Sequence, residues 1–291
     1  MVSTVLINSY AHTSLPTAYN DPSNWTLVNE WDTREGDLST IDAAFTLNSN
    51  DGFAWSPDGT KLTICNAADD IIRTFSCSTP FDPETASTLS SRSETNPQGI
   101  QFVLDGNAHL QRIVVGDEFT RSPSSSYQVG GGAEHSDITK ADVGFTGNQD
   151  GFIVPHPDLD YLLWFGETGT ETEIKYITLI SGSLNSYTVQ ATQGIDPPLS
   201  AVGLMVSALN KNQESFYMVG NSPGVRLVTM PSAHDIANIS FGTVEDLATQ
   251  FSPASNWAVN NIWTDPEDTR YVWIGGDTYP GIQLAKFETN V

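Results

Sequence analysis

One unit recurs five times along this chain, at a spacing of roughly fifty residues. Each copy has a turn rich in Asn, Asp and Gly, an apolar strand, a Pro/Asp break and a second apolar strand. A short segment built around an Asp comes later. The clearest copy is 51–86, DGFAWSPDGTKLTICNAADDIIRTFSCSTPFDPETA. A repeat of this length cannot bury its apolar faces alone, so successive copies must pack on one another as blades or solenoid turns. Function is then to be sought on one face of an array rather than in a single catalytic constellation.

The opening strands align as FAW at 53–55, IQFVL at 100–104, FIV at 152–154, VGLMV at 202–206 and IW at 262–263. Their first residues lie about 47 to 60 positions apart. SPDG, LDGN, PHPD and TDPED follow four of them, and the polar run Leu209-Asn210-Lys211-Asn212 follows the fourth copy. Gly and Asn supply positive φ and Pro fixes φ, so these segments read as hairpin turns. The second strands are KLTIC, RIVVG, YLLWFG, SFYMVG and RYVWIGG, near-continuous apolar runs of the kind covered on both faces. Third strands follow as IIRTFSC, EIKYITLI, VRLVTM and IQLAKFE. The copy at 119–135 is weaker, swollen by SPSSSYQVGGGAEH.

A connector then leads to a fourth strand. It reads GDLSTI at 36–41, FDPETA at 81–86, SDITKA at 136–141 and HDIANI at 234–239; the copy near Leu184-Asn185-Ser186 lacks its Asp. An Asp at the start of one helical turn caps free backbone N–H groups. Four antiparallel strands per unit with no helix between them predict an all-β chain, a β-propeller of four-stranded blades, with five blades expected. The last copy, 258–291, lacks a fourth strand and 39–47 has one to spare, so joining them would close the ring and seal its edges. The segment 25–32 reads as an additional third strand and 4–9 as one more, which leaves a sixth, degenerate blade open. The organisation expected is therefore 1–24 as an N-terminal arm or closing strand and 25–291 as the propeller. The arm, TVLINSY followed by SLPTAYNDPSN, pairs either within the chain or with a neighbour's open edge.

Composition bounds the rest. The 291 residues are 38% hydrophobic and include thirteen Phe, nine Tyr and seven Trp, enough for a buried core. Net charge is −23, so the cationic footprint that nucleic acid requires is missing. The start MVSTVLINSYAHT has neither the basic nor the apolar region of a signal peptide, and no stretch approaches the ~20 apolar residues of a membrane span. Cys65 lies opposite roughly Ile72 across a tight hairpin, not opposite Cys77, so a disulfide is not expected.

The strings NPQGIQFVLDG, DGFAWSPDGTKL and CSTPFDPETAS resemble a repeat of bacteriophage virion proteins. There a strand ending in a Pro-Asp-Gly-Thr-Lys turn alternates with a Ser-Thr-Pro-Trp-Asp-x-Ser-Thr-Ala connector. Asp58-Gly59-Thr60-Lys61 and Ser78-Thr79-Pro80-Phe81-Asp82 match it, with Phe81 in place of the Trp. The resemblance is strong over 36–105 and covers about 25–291. It implies a β-propeller in a phage tail, baseplate or fibre complex, made in the host cytoplasm and carried outside the cell in the particle.

Catalytic signatures do not accumulate. Gly220-Asn221-Ser222-Pro223-Gly224 has the G-x-S-x-G spacing, but it joins two strands where a nucleophile elbow needs a strand and a helix. Asn48-Ser49-Asn50-Asp51-Gly52 hints at a calcium loop, but its Gly falls fifth and position twelve is Gly59 rather than Glu. The histidines His12, His109, His135, His156 and His234 show no metal spacing, and Gly130-Gly131-Gly132 reads as a loop tip. No cofactor is expected; a bound calcium ion stays open.

One array carries more weight. In each blade the turn before the first strand and the loop after the second lie on the same face. Asp51, Gln98 and Asp150 come from the first set; Asp69, Asp70, Asp117, Glu118, Glu167, Asn221, Asp277 and Tyr279 come from the second. With Trp55 they would ring the channel mouth with carboxylates, amides and aromatic rings, a surface for a partner or a glycan. Turn chemistry alone also accounts for the Asn, Asp and Gly. The tryptophans are expected mostly in the core, with Trp25 and Trp257, nearest strand starts, the better surface candidates. The expected function is a non-enzymatic virion component, present in multiple copies, that displays loops and docks to other virion proteins. The alternative is a propeller that reads a host surface glycan.

Overall fold

The computed structural model describes residues 19–32, 52–56, 58–66, 70–93, 97–102, 108–112, 118–121, 138–139, 141–146, 152–155, 161–167, 172–180, 183–195, 205–207, 209–210, 212, 214–219, 224–250, 258–265, 270–277 and 282–290. Their regular structure is β-strand, apart from four short 3-10 turns. No helix among them is long and apolar enough to cross a membrane.

The described strands form five separate antiparallel sheets. After β1 (Thr26–Asp32), the first sheet runs β2 (Phe53–Trp55), β3 (Lys61–Asn66), β4 (Ile71–Cys77), β5 (Ala86–Ser93). The second is β6 (Pro97–Phe102), β7 (Ala108–Arg112), β8 (Glu118–Arg121), β9 (Ile138–Thr139). The third is β10 (Phe152–Pro155), β11 (Tyr161–Glu167), β12 (Thr172–Ile180), β13 (Ser183–Ile195). The fourth is β14 (Met205–Val206), β15 (Ser215–Val219), β16 (Gly224–Thr229), β17 (Ser240–Phe241), with β18 (Glu245–Asp246) also on β16. The fifth is β19 (Ala258–Thr264), β20 (Tyr271–Asp277), β21 (Ile282–Glu288), and its fourth member is β1. The first four are up-and-down meanders, and first strands meet between the first and second, third and fourth, fourth and fifth, and fifth and first sheets, which is the arrangement of a β-propeller.

The packing between sheets follows chain order. β2 and β3 lie against β6, β10 against β14, β14 and β15 against β19, and β19 against β2. From second to third sheet the link is a shared apolar cluster in which Ile138 joins Ile153, Leu162 and Trp164. The near-continuous apolar runs of the second strands explain this: Leu162, Trp164, Phe216, Val272 and Ile274 are buried because both faces of their sheets are covered.

The strand that completes the fifth sheet is not 39–47, which lies outside the described residues, but β1, paired from Thr26↔Glu288 to Asp32↔Ile282. Sequence reading took 25–32 for a surplus third strand. The reason lies one step upstream. Asp21-Pro22 forms the same capped 3-10 turn as Asp82-Pro83: Asp21 Oδ1 accepts from Ser23 N at 2.9 Å, and Asp82 Oδ1 accepts from Glu84 N at 3.1 Å. Each turn feeds a fourth strand. The two ends of the described chain meet there, because Asn20 Nδ2 donates to Thr289 O at 2.8 Å and Asn290 Nδ2 to Asn24 O at 2.6 Å. Residues 19–24, the end of the expected arm, are thus fixed to the sheets; 1–18 lie outside the described residues.

In the second sheet β7 covers Ala108–Arg112; of the expected second strand RIVVG, only Arg112 lies among the described residues. One further expectation is corrected. Within SDITKA, Ile138–Thr139 is itself the fourth strand, paired with β8, and the turn after it is held by Thr139 N and Oγ1 donating to Asp142 Oδ2 at 2.9 and 2.7 Å. The cysteines match expectation: Cys65 pairs with Ile72 and Cys77 with Ala86, the two form no disulfide, and both are buried.

Candidate functional site

Register fixes which end of each sheet carries which loops. Phe53 pairs with Ile64, Phe152 with Phe165, Met205 with Val219 and Ala258 with Asp277. The turn before each first strand and the loop after each second strand therefore share one end. Glu118, Glu167 and Asp277 are placed there at strand ends, Gln98 at the bulge between Pro97 and Gly99, and Asp70 in the turn that opens β4, exposed and with φ +52°. Asp51, Asp69, Asp117, Asp150, Asn221 and Tyr279 lie outside the described residues.

Trp55 does not belong to that surface. It is fully buried at the far end of β2, with its ring 5.6 Å from Phe81 and 5.1 Å from Trp273. All three residues of β2 are buried, and Phe81 of the connector packs against the indole. Trp25, the other surface candidate, is 3% exposed: it meets Tyr217 edge-on at 4.8 Å and Phe287 at 6.0 Å in the gap between the fourth and fifth sheets. Trp257, like Asn48 to Asp51 of the calcium-like loop, lies outside the described residues. No group of His, Cys, Asp and Glu among the described residues is placed to hold a metal ion. His109 sits on β7 and His234 in the connector of the fourth sheet; His12, His135 and His156 lie outside.

The opposite end of the sheets holds a feature that sequence reading missed. There the hairpin between first and second strands meets the connector of its own sheet and, across the gap, that of the next. In the first sheet the two resembling strings interlock. Asp58 Oδ1 accepts from Ser56 Oγ at 2.6 Å, from Thr60 N at 3.0 Å and from Thr60 Oγ1 at 2.8 Å. Burial pushes this carboxyl up, but those hydrogen bonds outweigh it and hold it below the ordinary range. Gly59, at φ +68°, accepts from Phe81 N at 2.9 Å, and the Phe81 ring packs onto its Cα face.

Beyond Phe81 a cavity of about 180 Å³ separates this connector from the fifth sheet. Trp263, Tyr271 and Trp273 line it, with Asp265, Arg270 and Lys286 among its polar groups. Phe81 and Trp263 stand 6.0 Å apart. Lys286 Nζ sits 3.9 Å over the Tyr271 ring and 5.3 Å from Trp273, and Trp273 stacks on Trp31 at 5.3 Å. Aromatic faces beside donors and a carboxylate can hold a small polar ring. The available signal was the pairing of Phe81 with the aromatic run RYVWIGG; period and turn chemistry alone do not bring them together.

No protein-family model matches the chain, and no curated protein matches it. Solved structures do show a distant likeness. Hydrazine synthase of Kuenenia stuttgartiensis aligns at TM-score 0.41 and 10% identity over 81% of this chain and 82% of that one. A protein from Lactobacillus plantarum aligns at TM-score 0.45 and 12% identity over 84% and 67%. A nidogen/laminin complex aligns at 0.44 and 11% over 80% and 81%. At such scores these likenesses carry no argument about this chain's activity.

Proposed function

We propose that the chain is a five-bladed β-propeller, closed by β1, that serves as a non-enzymatic display and docking module of a phage tail, baseplate or fibre assembly. The observation that carries this reading is the interlocking of the two strings on which the virion resemblance rests. The Asp58-Gly59-Thr60-Lys61 turn and the Phe81-Asp82 connector form one unit, joined by Phe81 N to Gly59 O at 2.9 Å and Cys77 N to Thr60 O at 2.9 Å. Asp58, Gly59 and Thr60, which that repeat shares, and Phe81, which stands where it has Trp, hold the blade's end together. A ring whose last sheet is completed by β1 has no free edge at that sheet to fray. Such a body holds loops in fixed relation, which suits docking in many copies within a particle. Mass spectrometry of purified particles checks it: the chain should be present at a fixed ratio to the tail proteins, and steady absence from particles ends the reading.

The second reading is a propeller that recognises a host surface glycan at its channel mouth. It is favoured by the placement of Asp70, Gln98, Glu118, Glu167 and Asp277 at one common end of the sheets. Loss of glycan-array binding in Asp70→Ala supports that face, and unchanged binding removes it.

A further inference from the structure

We propose that the crevice between the fifth sheet and the connector of the first sheet binds one pyranose ring of a glycan. The proposal shares its ligand class with the glycan reading above and rests on it, but it places the sugar at the opposite end of the blades.

The argument starts from an internal comparison. The third and fifth sheets are superimposable by register. Tyr161 opens β11 as Tyr271 opens β20, and Leu163 pairs with Tyr176 as Trp273 pairs with Lys286. Lys286 therefore takes the place of Tyr176. The connectors correspond too, since Phe81 and His234 each precede the Asp of the connector in the following sheet and share positive φ. In the third-to-fourth crevice these positions fill the space with the chain's own rings. His234 stacks on Tyr176 at 4.6 Å and 14°, and both meet Tyr161 edge-on.

In the fifth-to-first crevice that stack is missing one ring. Lys286 replaces the tyrosine and lays its ammonium on Tyr271, and the cavity of about 180 Å³ is what is left. Apolar cavities of ~150 Å³ accept a benzene, and drug-sized sites start near ~300 Å³, so the space suits a single ring. Its polar equipment selects the kind of ring. A hydrocarbon would leave Asp265, Arg270 and Lys286 without gain. A pyranose offers an axial C–H face to Phe81, and hydroxyls that donate to the Asp265 carboxylate and accept from Arg270 and from Lys286 where it lies on Tyr271. These side chains keep their contacts within the protein, and the hydroxyls join them. A neutral sugar also avoids the repulsion that a chain of net charge −23 imposes on anions.

The test uses the full chain on a glycan array and then titration with the methyl glycoside of the best-bound sugar. Lys286→Tyr restores the filled arrangement of the other crevice and should lower affinity at least tenfold with melting behaviour unchanged. Arg270→Ala, at an exposed position, should weaken binding severalfold and serves if Lys286→Tyr misfolds. Asp70→Ala should bind as the native chain does. Native-like affinity in both crevice variants overturns the proposal. Loss in Asp70→Ala alone moves the sugar to the mouth, which overturns the crevice and spares the glycan reading. Binding to no sugar ends both.

Discussion

Phe81 and His234 occupy the same place in two different sheets. Each is the residue before a connector aspartate, each is held at positive φ (+57° and +69°), and each turns its ring onto the sheet before it. L-residues with bulky side chains rarely adopt that conformation, and it costs on the order of 1–3 kcal/mol. The gain is an aromatic wedge between blades. The wedge in turn dictates Gly59, where a Cβ would run into the Phe81 ring and φ is +68°.

Gly59→Ala is therefore expected to destabilise the protein by about 1–3 kcal/mol, from left-handed strain together with a displaced ring. Urea unfolding of the two proteins checks this. A change within ±0.5 kcal/mol would mean that the turn and the wedge do not touch.

Trp55 lies at the point where three sheets' side chains meet: its own, the fifth sheet's Trp273 and the second sheet's Ile100 share one apolar cluster. Trp55→Ala should cost about 3–5 kcal/mol, the range for a large aromatic removed from a filled core. A melt that moves by less than the error of the measurement would return Trp55 to the surface.

The Asp58 carboxylate titrates below its ordinary value because three hydrogen bonds favour the charged form. For a depressed carboxyl, the stabilisation is complete above the unfolded value, about 3.9, and is lost as pH falls through the lower folded value. Asp58→Asn should thus be less stable than the native chain at pH 7, and the gap should narrow as pH falls below about 4. Urea midpoints at pH 7 and pH 3 measure it. Other carboxylates titrate alike in both proteins and cancel in the difference.

Burial pushes the Cys77 thiol up to about 12, with Asp82 adding to the rise and Lys61 opposing it. Both cysteines should be inert to a thiol reagent at pH 8 in the native state and react fully in denaturant. Rapid labelling of either under native conditions would mean that the first sheet opens.

Much of the fold was legible because its determinants are local. The period, the turn residues and the both-faces-apolar second strands place the third strands Ile71–Cys77 and Ile282–Glu288 to the residue. The Cys65–Ile72 pairing follows from a tight hairpin alone. What failed was non-local. The partner of β21 lies 250 or more positions away, and nothing in TLVNEWD distinguishes a closing fourth strand from a third one except the Asp21-Pro22 cap before it. Trp55 was assigned to the mouth by its residue type, although its position at the far end of β2 decides otherwise. The crevice was out of reach because its walls come from β19–β21 and from residues 80–81, brought together only by ring closure.

Closure of the ring by β1 is the central claim, and a single cross-link tests it most directly. Thr26 and Glu288 are paired and exposed, and the two native cysteines are buried. The Thr26→Cys, Glu288→Cys double variant should oxidise to a disulfide within one chain, seen as a 26–288 linked peptide, and should raise Tm by removing loop-closure entropy from the unfolded chain. A disulfide that links two chains, or none under oxidising conditions, would contradict the account.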